Sequence, residues 1–336
     1  LHKGIPKIQL NSIVFQPLNH PKKTLKRHGM PFAEEGLRDV HFPKQEHSMS
    51  TCPVLISPEE LVALRQQSPV IVIDTRDPSA YAEGHIDGAV NVREIFTYLA
   101  TSTREGLEAL KATFVTALGA VGLSGKETAV IYEDAMNTGF GQSCRGYFLL
   151  TWLGYPKVRV LNGGFSAWRA AGLPVSTEPT QPTPATFPSN LTPNDVMVTT
   201  ADVAKALYTD IVLLDVRDVD EWIGDSSSPY GKDFAPRKGR IPGARWIEWY
   251  RFMKPTPQGA VFKSSAEIQA ECATANISTT DTIYLYCFKG ARASNTFLAL
   301  KEGGFTDVRV YFGSWNEWSR DPSLPIESGL PMGMAA

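Results

Sequence analysis

Histidine is almost missing from most of this chain. Five of its six histidines fall in the first 48 residues, and His85 is the sixth. Cysteine is nearly as scarce, with four in 336 residues, at positions 52, 144, 272 and 287, and no C-x-x-C pair. Neither residue has the spacing of a zinc centre, so no metal is expected. Four scattered cysteines do not make a disulfide scaffold, which implies a reducing compartment and at least one free thiol. No apolar run approaches the ~18 residues that would span a bilayer. The net charge of −2 leaves no strong footprint for nucleic acid or for an anionic membrane. What is present, 43% hydrophobic and 20% charged residues, is an ordinary globular composition of a length that suits two domains.

Residues 1–48 differ from the rest. They carry eight Lys and Arg against four Asp and Glu. They contain no secretory apolar core, and Glu34, Glu35, Asp39 and Glu46 argue against a transit peptide. Met49 opens a stretch that reads as a natural start. Residues 1–48 are therefore expected to be an upstream extension without a fold of its own. The expected location is cytoplasmic, with organellar import by that extension as the alternative.

From residue 55 the chain repeats itself in four ordered blocks. "IVIDTRD" at 71–77 matches "IVLLDVRD" at 211–218, and "GHIDGAVNV" at 84–92 matches "GRIPGARWI" at 239–247. "AVIYED" at 129–134 matches "TIYLYC" at 282–287, and "VRVLNGGFSAW" at 158–168 matches "VRVYFGSWNEW" at 308–318. Residues 49–175 and 197–330 thus form two similar domains. Between them lies a Pro-rich linker, residues 176–196, read as extended. Short buried strands at 70–74, 128–132 and 157–161 alternate with helices near 105–118 and 144–153 and one opened by "GGFSAW". Ser57, Pro58 and Glu60 form a capping-box start to another. The fold class is α/β, each domain a mostly parallel sheet flanked by helices on both faces. Functional loops in such sheets sit at the C-terminal ends of strands.

Cys287 stands at such an end, followed by the short loop "CFKGAR" and a helical stretch closed by Gly303–Gly304. Successive N–H groups in a tight strand-to-helix turn form an anion-binding nest, and the helix start adds partial positive charge. Lys289 and Arg292 are read as adding full charges, and Gly290 as letting the loop close tightly. All of this favours thiolate over thiol, so a lowered Cys287 pKa is expected. No histidine is at hand as a base. The chemistry expected is that of an unaided thiolate whose developing charge is held by the loop.

These residues resemble the rhodanese family in its tandem form. The resemblance rests on the paired D-x-R blocks (Asp74/Arg76 and Asp215/Arg217), "YAEGHIDGAVNV", "GSWNEW" and the C-x4-R loop from Cys287 to Arg292. It implies a sulfurtransferase: Cys287 takes sulfur from thiosulfate or 3-mercaptopyruvate as a persulfide, then passes it to cyanide or a thiol. Phe288, Lys289, Gly290, Ala291 and Arg292 would bind the donor, and Arg240 in "RKGR" would line the entrance. No cofactor is implied. The partners are the small-molecule donor and acceptor, with a reducing protein such as thioredoxin as a candidate, and neither nucleic acid nor membrane. Counting along the matched strands puts Asp134 in the place of Cys287, which would make the first copy non-catalytic. Cys144 aligns with Ser294 and is read as a packing residue.

The D-x-R pairs read as braces for the loops. Trp222, Trp246, Trp249, Trp315 and Trp318 read as core and interface anchors. The second copy carries a 14-residue Ser/Gly/Pro-rich insertion, residues 223–236, either a flap or a surface excursion. Where tandem thiosulfate enzymes often place an arginine after D-x-R, this chain has Glu221, which weakens transfer of that binding role. A Lys–Arg loop suits the dianion thiosulfate better than 3-mercaptopyruvate. Two rivals belong to other classes. A phosphatase or arsenate reductase has five residues between Cys and Arg where this loop has four. A protein-interaction module would carry the persulfide to a partner without small-molecule turnover.

Overall fold

A computed structural model describes residues 54–188 and 190–331. The extension assigned to residues 1–48 lies outside the described residues, as does Cys52. From Val54 on, one sheet is built twice. The first contains β1 (Leu55–Ile56), β2 (Val70–Asp74), β3 (Val90–Asn91), β4 (Thr128–Tyr132) and β5 (Val158–Leu161) in the order β1-β5-β4-β2-β3. The second contains β6 (Met197–Val198), β7 (Val212–Asp215), β8 (Arg245–Trp246), β9 (Thr282–Tyr286) and β10 (Asp307–Tyr311) in the order β6-β10-β9-β7-β8. Every neighbouring pair in both sheets is parallel. The central strands, "TAVIY" and "TIYLY", are rich in β-branched and aromatic residues, as suits strands covered on both faces.

Local sequence sets the helix starts. Ser57 caps Pro58–Gln67, with Glu60 N–H on its hydroxyl at 3.2 Å and the Glu60 carboxylate returning to Ser57 N–H at 2.8 Å. Thr199/Asp202 and Ser264/Glu267 repeat the device. The D-x-R pairs are braces in both halves. Arg76 and Arg217 grip Asp74 and Asp215 and then reach the carbonyls of Gly84 at 2.7 Å and Gly239 at 2.8 Å.

The core has three parts. Each sheet covers its outer face with its own cluster, anchored by Trp168 in the first half and by Trp315 and Trp318 in the second. The inner faces merge into one continuous interior shared by both halves. Helix Gln142–Trp152 packs there on helix Ala291–Glu302, with Phe148 edge-on to Phe297 at 5.3 Å and stacked on Phe312 at 5.9 Å. Each fully buried Phe contributes about 1.5–3 kcal/mol. Gly141, at φ +78°, lets the two helix starts approach; a Cβ there would lie 2.9 Å from the Ala291 carbonyl oxygen.

The described residues of the linker run along the first half as far as Asn194, and then Asp195 and Val196 join the second half at Arg309 and Val310. Val175–Ser176 pairs antiparallel with His85–Ile86, Ala185 N–H donates to Gly119 O at 2.8 Å, and Phe187 is buried beside Tyr155. Among the described residues no helix is long and apolar enough to cross a membrane.

Candidate active site

Strand β9 delivers Cys287 to the centre of the second sheet's C-terminal edge. The helix begins at Ala291, with Gly290 as its cap at φ +87°, so Ala291 and Arg292 belong to the helix and the turn is shorter than "CFKGAR" suggests. Gly290 N–H donates to Cys287 Sγ at 3.1 Å. A Cβ on Gly290 would sit 2.9 Å from the Phe312 ring, so both the backbone angle and the space require glycine. Behind the sulfur, Cys287 N–H donates to Ser314 Oγ at 3.2 Å, and that hydroxyl donates to Tyr311 O at 2.8 Å. Ser314 has φ +53° where the first half has Gly164 at φ +61°. A non-glycine residue there stores about 1–3 kcal/mol of strain, and the two hydrogen bonds of the hydroxyl offset it.

Cys287 opens onto a cavity of about 200 Å³. Its own loop and helix supply Phe288, Lys289, Ala291 and Arg292. Phe96 and Phe140 come from the first half, and Pro229 and Tyr230 from the insertion. The insertion is therefore a wall of the cavity rather than a surface excursion. Tyr230 and Phe234 both stand edge-on to Phe288, at 5.7 and 5.8 Å.

The charges are arranged differently from the expectation. Arg292 gives Nη1 to Glu221 Oε2 at 2.6 Å and Nη2 to Glu221 Oε1 at 3.1 Å, with Asp218 at 3.1 Å from Nη1. Its charge is matched by two carboxylates, and it is not a free cation for a donor. Glu221 is held buried by this pair; burial raises its pKa and Arg292 opposes the rise. Lys289 Nζ lies between the rings of Phe96 at 4.6 Å and Tyr230 at 4.9 Å. Desolvation, with nearby Arg145 second, pushes its pKa down to about 8.

Three expectations are corrected. Arg240 does not line the entrance. It is buried, ion-paired to Glu327 at 3.1 Å, bonded to the Gly329 carbonyl at 2.7 Å and stacked over Trp222. It takes the place of His85, as the matching bonds from Ile86 N–H and Ile241 N–H to Tyr132 and Tyr286 hydroxyls show. The residue in the place of Cys287 is Glu133, not Asp134. Phe165 N–H bonds Glu133 O as Trp315 N–H bonds Cys287 O, and Ser166 to Asp134 repeats Asn316 to Phe288. Identical tyrosines, Tyr132 and Tyr286, end both strands, and the short blocks match by sequence one residue out of this register.

Glu133 Oε2 accepts Gln142 N–H at 2.6 Å and Ser143 N–H at 3.4 Å. The first half thus fills its own helix start with a carboxyl group whose oxygen accepts the N–H donors there. Burial nonetheless pushes the Glu133 pKa up to about 8. Arg145 N–H bonds Gly141 O as Ser294 N–H bonds Gly290 O, which sets Cys144 opposite Ala293 rather than Ser294. Burial drives the Cys144 thiol pKa well up and that of Cys272 up to about 12, away from thiolate chemistry.

Phe96, Phe140, Tyr230 and Ser314 carry no motif in the sequence that marks them for the cavity. Length differences were the available signal for two of them. Phe140 lies in the longer turn of the first half, and Tyr230 in the insertion of the second.

Both halves match the Rhodanese-like domain family, over residues 57–171 and 199–321. A thiosulfate sulfurtransferase of Azotobacter vinelandii is 30% identical over 280 residues, 83% of this chain and 98% of that protein. A putative thiosulfate sulfurtransferase of Haloferax volcanii is 31% identical over 259 residues, 75% and 86% of the two chains. Among solved structures, the anaerobic ergothioneine biosynthesis enzyme of Chlorobium limicola, bound to trimethyl histidine, is similar with a TM-score of 0.72 and 25% identity. That likeness covers 83% of this chain and 71% of the other.

Proposed function

Because the chain belongs to the rhodanese family, with the domain present twice, we propose that it moves sulfane sulfur from thiosulfate to a thiophilic acceptor through a persulfide on Cys287. At the level of reaction class it is a sulfurtransferase. The observation that carries the finer reading is the Gly290 N–H aimed at a buried Cys287 sulfur that opens onto a cavity.

The chemistry follows from that placement. The Cys287 thiolate attacks the outer sulfur of thiosulfate. A new S–S bond forms, the old one breaks, and sulfite leaves with its electron pair. The terminal sulfur now carries the negative charge, at a helix start whose amides favour an anion. Cyanide or a thiolate then attacks that sulfur, and Cys287 leaves as thiolate. Cyanide yields thiocyanate; a thiol, including one on a reducing protein such as thioredoxin, yields its own persulfide. No base is required, and no histidine is among the described residues of the cavity wall.

One observation favours a second donor. With Arg292 turned to Glu221 and Asp218, Lys289 is the cation left for a ligand on the cavity wall among the described residues. A single cation suits the monoanion 3-mercaptopyruvate as well as it suits thiosulfate. The ratio of kcat/KM for the two donors decides between them.

The test is a mass spectrum after thiosulfate treatment and desalting. Wild type gains one sulfur atom and Cys287→Ser gains none. Wild type that gains none with either donor while Cys287 remains alkylatable sinks the persulfide reading. Loading without release to cyanide or small thiols would instead favour a carrier that serves a protein partner.

A further inference from the structure

We propose that Arg145, in the half without the nucleophile, is a positioning residue for the Cys287 sulfur and acts through the Lys289–Gly290 peptide. This deepens the reading of Cys287 as the nucleophile and rests on it.

Arg145 projects from helix Gln142–Trp152 and is fully buried. Its Nη1 donates to the Lys289 carbonyl at 2.7 Å and its Nη2 to the Tyr98 carbonyl at 2.6 Å. Its guanidinium lies 4.4 Å from the centre of the Phe312 ring, the ring that also backs Gly290. No carboxylate among the described residues forms an ion pair with it, and its Nε has no partner there.

The Lys289 carbonyl and the Gly290 N–H are opposite ends of one rigid peptide plane. The carbonyl end receives a charge-assisted bond from Arg145, and the N–H end points at Sγ, 3.1 Å away. Two effects follow. The plane cannot rotate without breaking both bonds, so the N–H stays aimed at the sulfur. Electron density drawn to the oxygen by the guanidinium also polarises the N–H and makes it a stronger donor to an anion. A buried cation with no acidic partner is costly in isolation, and an ionised sulfur at the far end of the peptide supplies the opposite charge. Burial lowers the Arg145 pKa to about 10, and attraction from Cys287 works in the other direction. At the equivalent place in the second half, Ser294 merely turns its hydroxyl back to the Gly290 carbonyl.

A simple staple between the halves would make the same two carbonyl bonds but leave the sulfur unaffected. The test therefore reads the sulfur without any sulfur donor, so it can succeed or fail independently of the persulfide assignment. Alkylation of Cys287 by iodoacetamide is followed against pH by peptide mass mapping in wild type, Arg145→Lys and Arg145→Gln. Thermal melting of each variant is recorded alongside. The other groups facing Cys287, namely Lys289, Tyr230 and Arg292 with its Glu221 and Asp218 partners, are unchanged across the set. The midpoint of alkylation moves up by about half a pH unit or more in Arg145→Gln and by less in Arg145→Lys, which keeps the charge. In wild type, the Gly290 amide proton and Arg145 guanidinium resonances shift with the same midpoint as alkylation. A folded Arg145→Gln whose profile superimposes on wild type overturns the proposal. So does a wild-type Arg145 guanidinium resonance indifferent to the ionisation of Cys287, a measurement that decides alone if the variants do not fold.

Discussion

Glu221 holds Arg292 in a two-pronged ion pair, 2.6 and 3.1 Å long, with both side chains buried beside the cavity. Removing one member strands the other. Glu221→Gln leaves the guanidinium with half-buried Asp218 alone, and the expected loss is about 3–5 kcal/mol of unfolding free energy in urea titration. The double variant Glu221→Gln/Arg292→Met should recover a large part of that loss. A double variant no more stable than the single one would show that the pair does not carry the effect.

Lys289 sets the expected pH dependence of donor binding. Its cation exists below about pH 8 and is lost as pH rises through that value. KM for thiosulfate should therefore be flat below about 8 and climb above it. Lys289→Met should raise KM at neutral pH by on the order of tenfold, from loss of a charge-assisted contact of about 1.5–3 kcal/mol, and remove the climb. Steady-state kinetics from pH 6 to 9.5 checks both, and an unchanged climb in the variant refutes the assignment.

Ser314 separates strain from hydrogen bonding. Ser314→Ala keeps the left-handed backbone and leaves Cys287 N–H without its acceptor, costing about 1–3 kcal/mol. Ser314→Gly loses the same acceptor but relieves the backbone, so it should be the more stable of the two by about 1 kcal/mol. Both should lower kcat, because the hydroxyl fixes the strand end that carries Cys287, the proposed nucleophile. Equal stabilities would mean that the backbone strain is negligible.

Glu133 gives a pH dependence of stability. Its carboxyl ionises near 4.5 in the unfolded chain and at about 8 when folded. Between those values the folded state holds a proton that the unfolded state has released, so stability falls as pH rises and levels off above about 8. Glu133→Gln removes this contribution. The Tm difference, variant minus wild type, should grow from pH 4.5 to pH 8, and a constant difference across that range would contradict it.

The α/β class and the duplication were legible because strands and turns recur as four local blocks in fixed order. The placement of Cys287 between a strand and a helix was legible because a short apolar run ending in a cysteine, followed by Gly290 and a helix pattern, has few structural meanings. The partners of the charged residues were not. Arg292 meets Glu221 across 71 residues, and Arg240 meets Glu327 across 87. Nothing local in either segment says which way a long cationic side chain turns. Phe96 and Phe140 reach the cavity only because the two halves dock, a relationship with no local pattern. The slip between Asp134 and Glu133 has a related cause: a run of similar strand residues constrains register poorly until the hydrogen bonds of the following helix are seen.

The interior built from Phe148, Phe297 and Phe312 belongs to neither half alone. Separating the halves would bare one flank of each to water. A fragment carrying only residues 197–330 would keep the thiol yet lose two aromatic walls of its chamber and the guanidinium behind its turn. The duplication has thus become indivisible: the portion without Cys287 survives as the mould in which the other portion is cast.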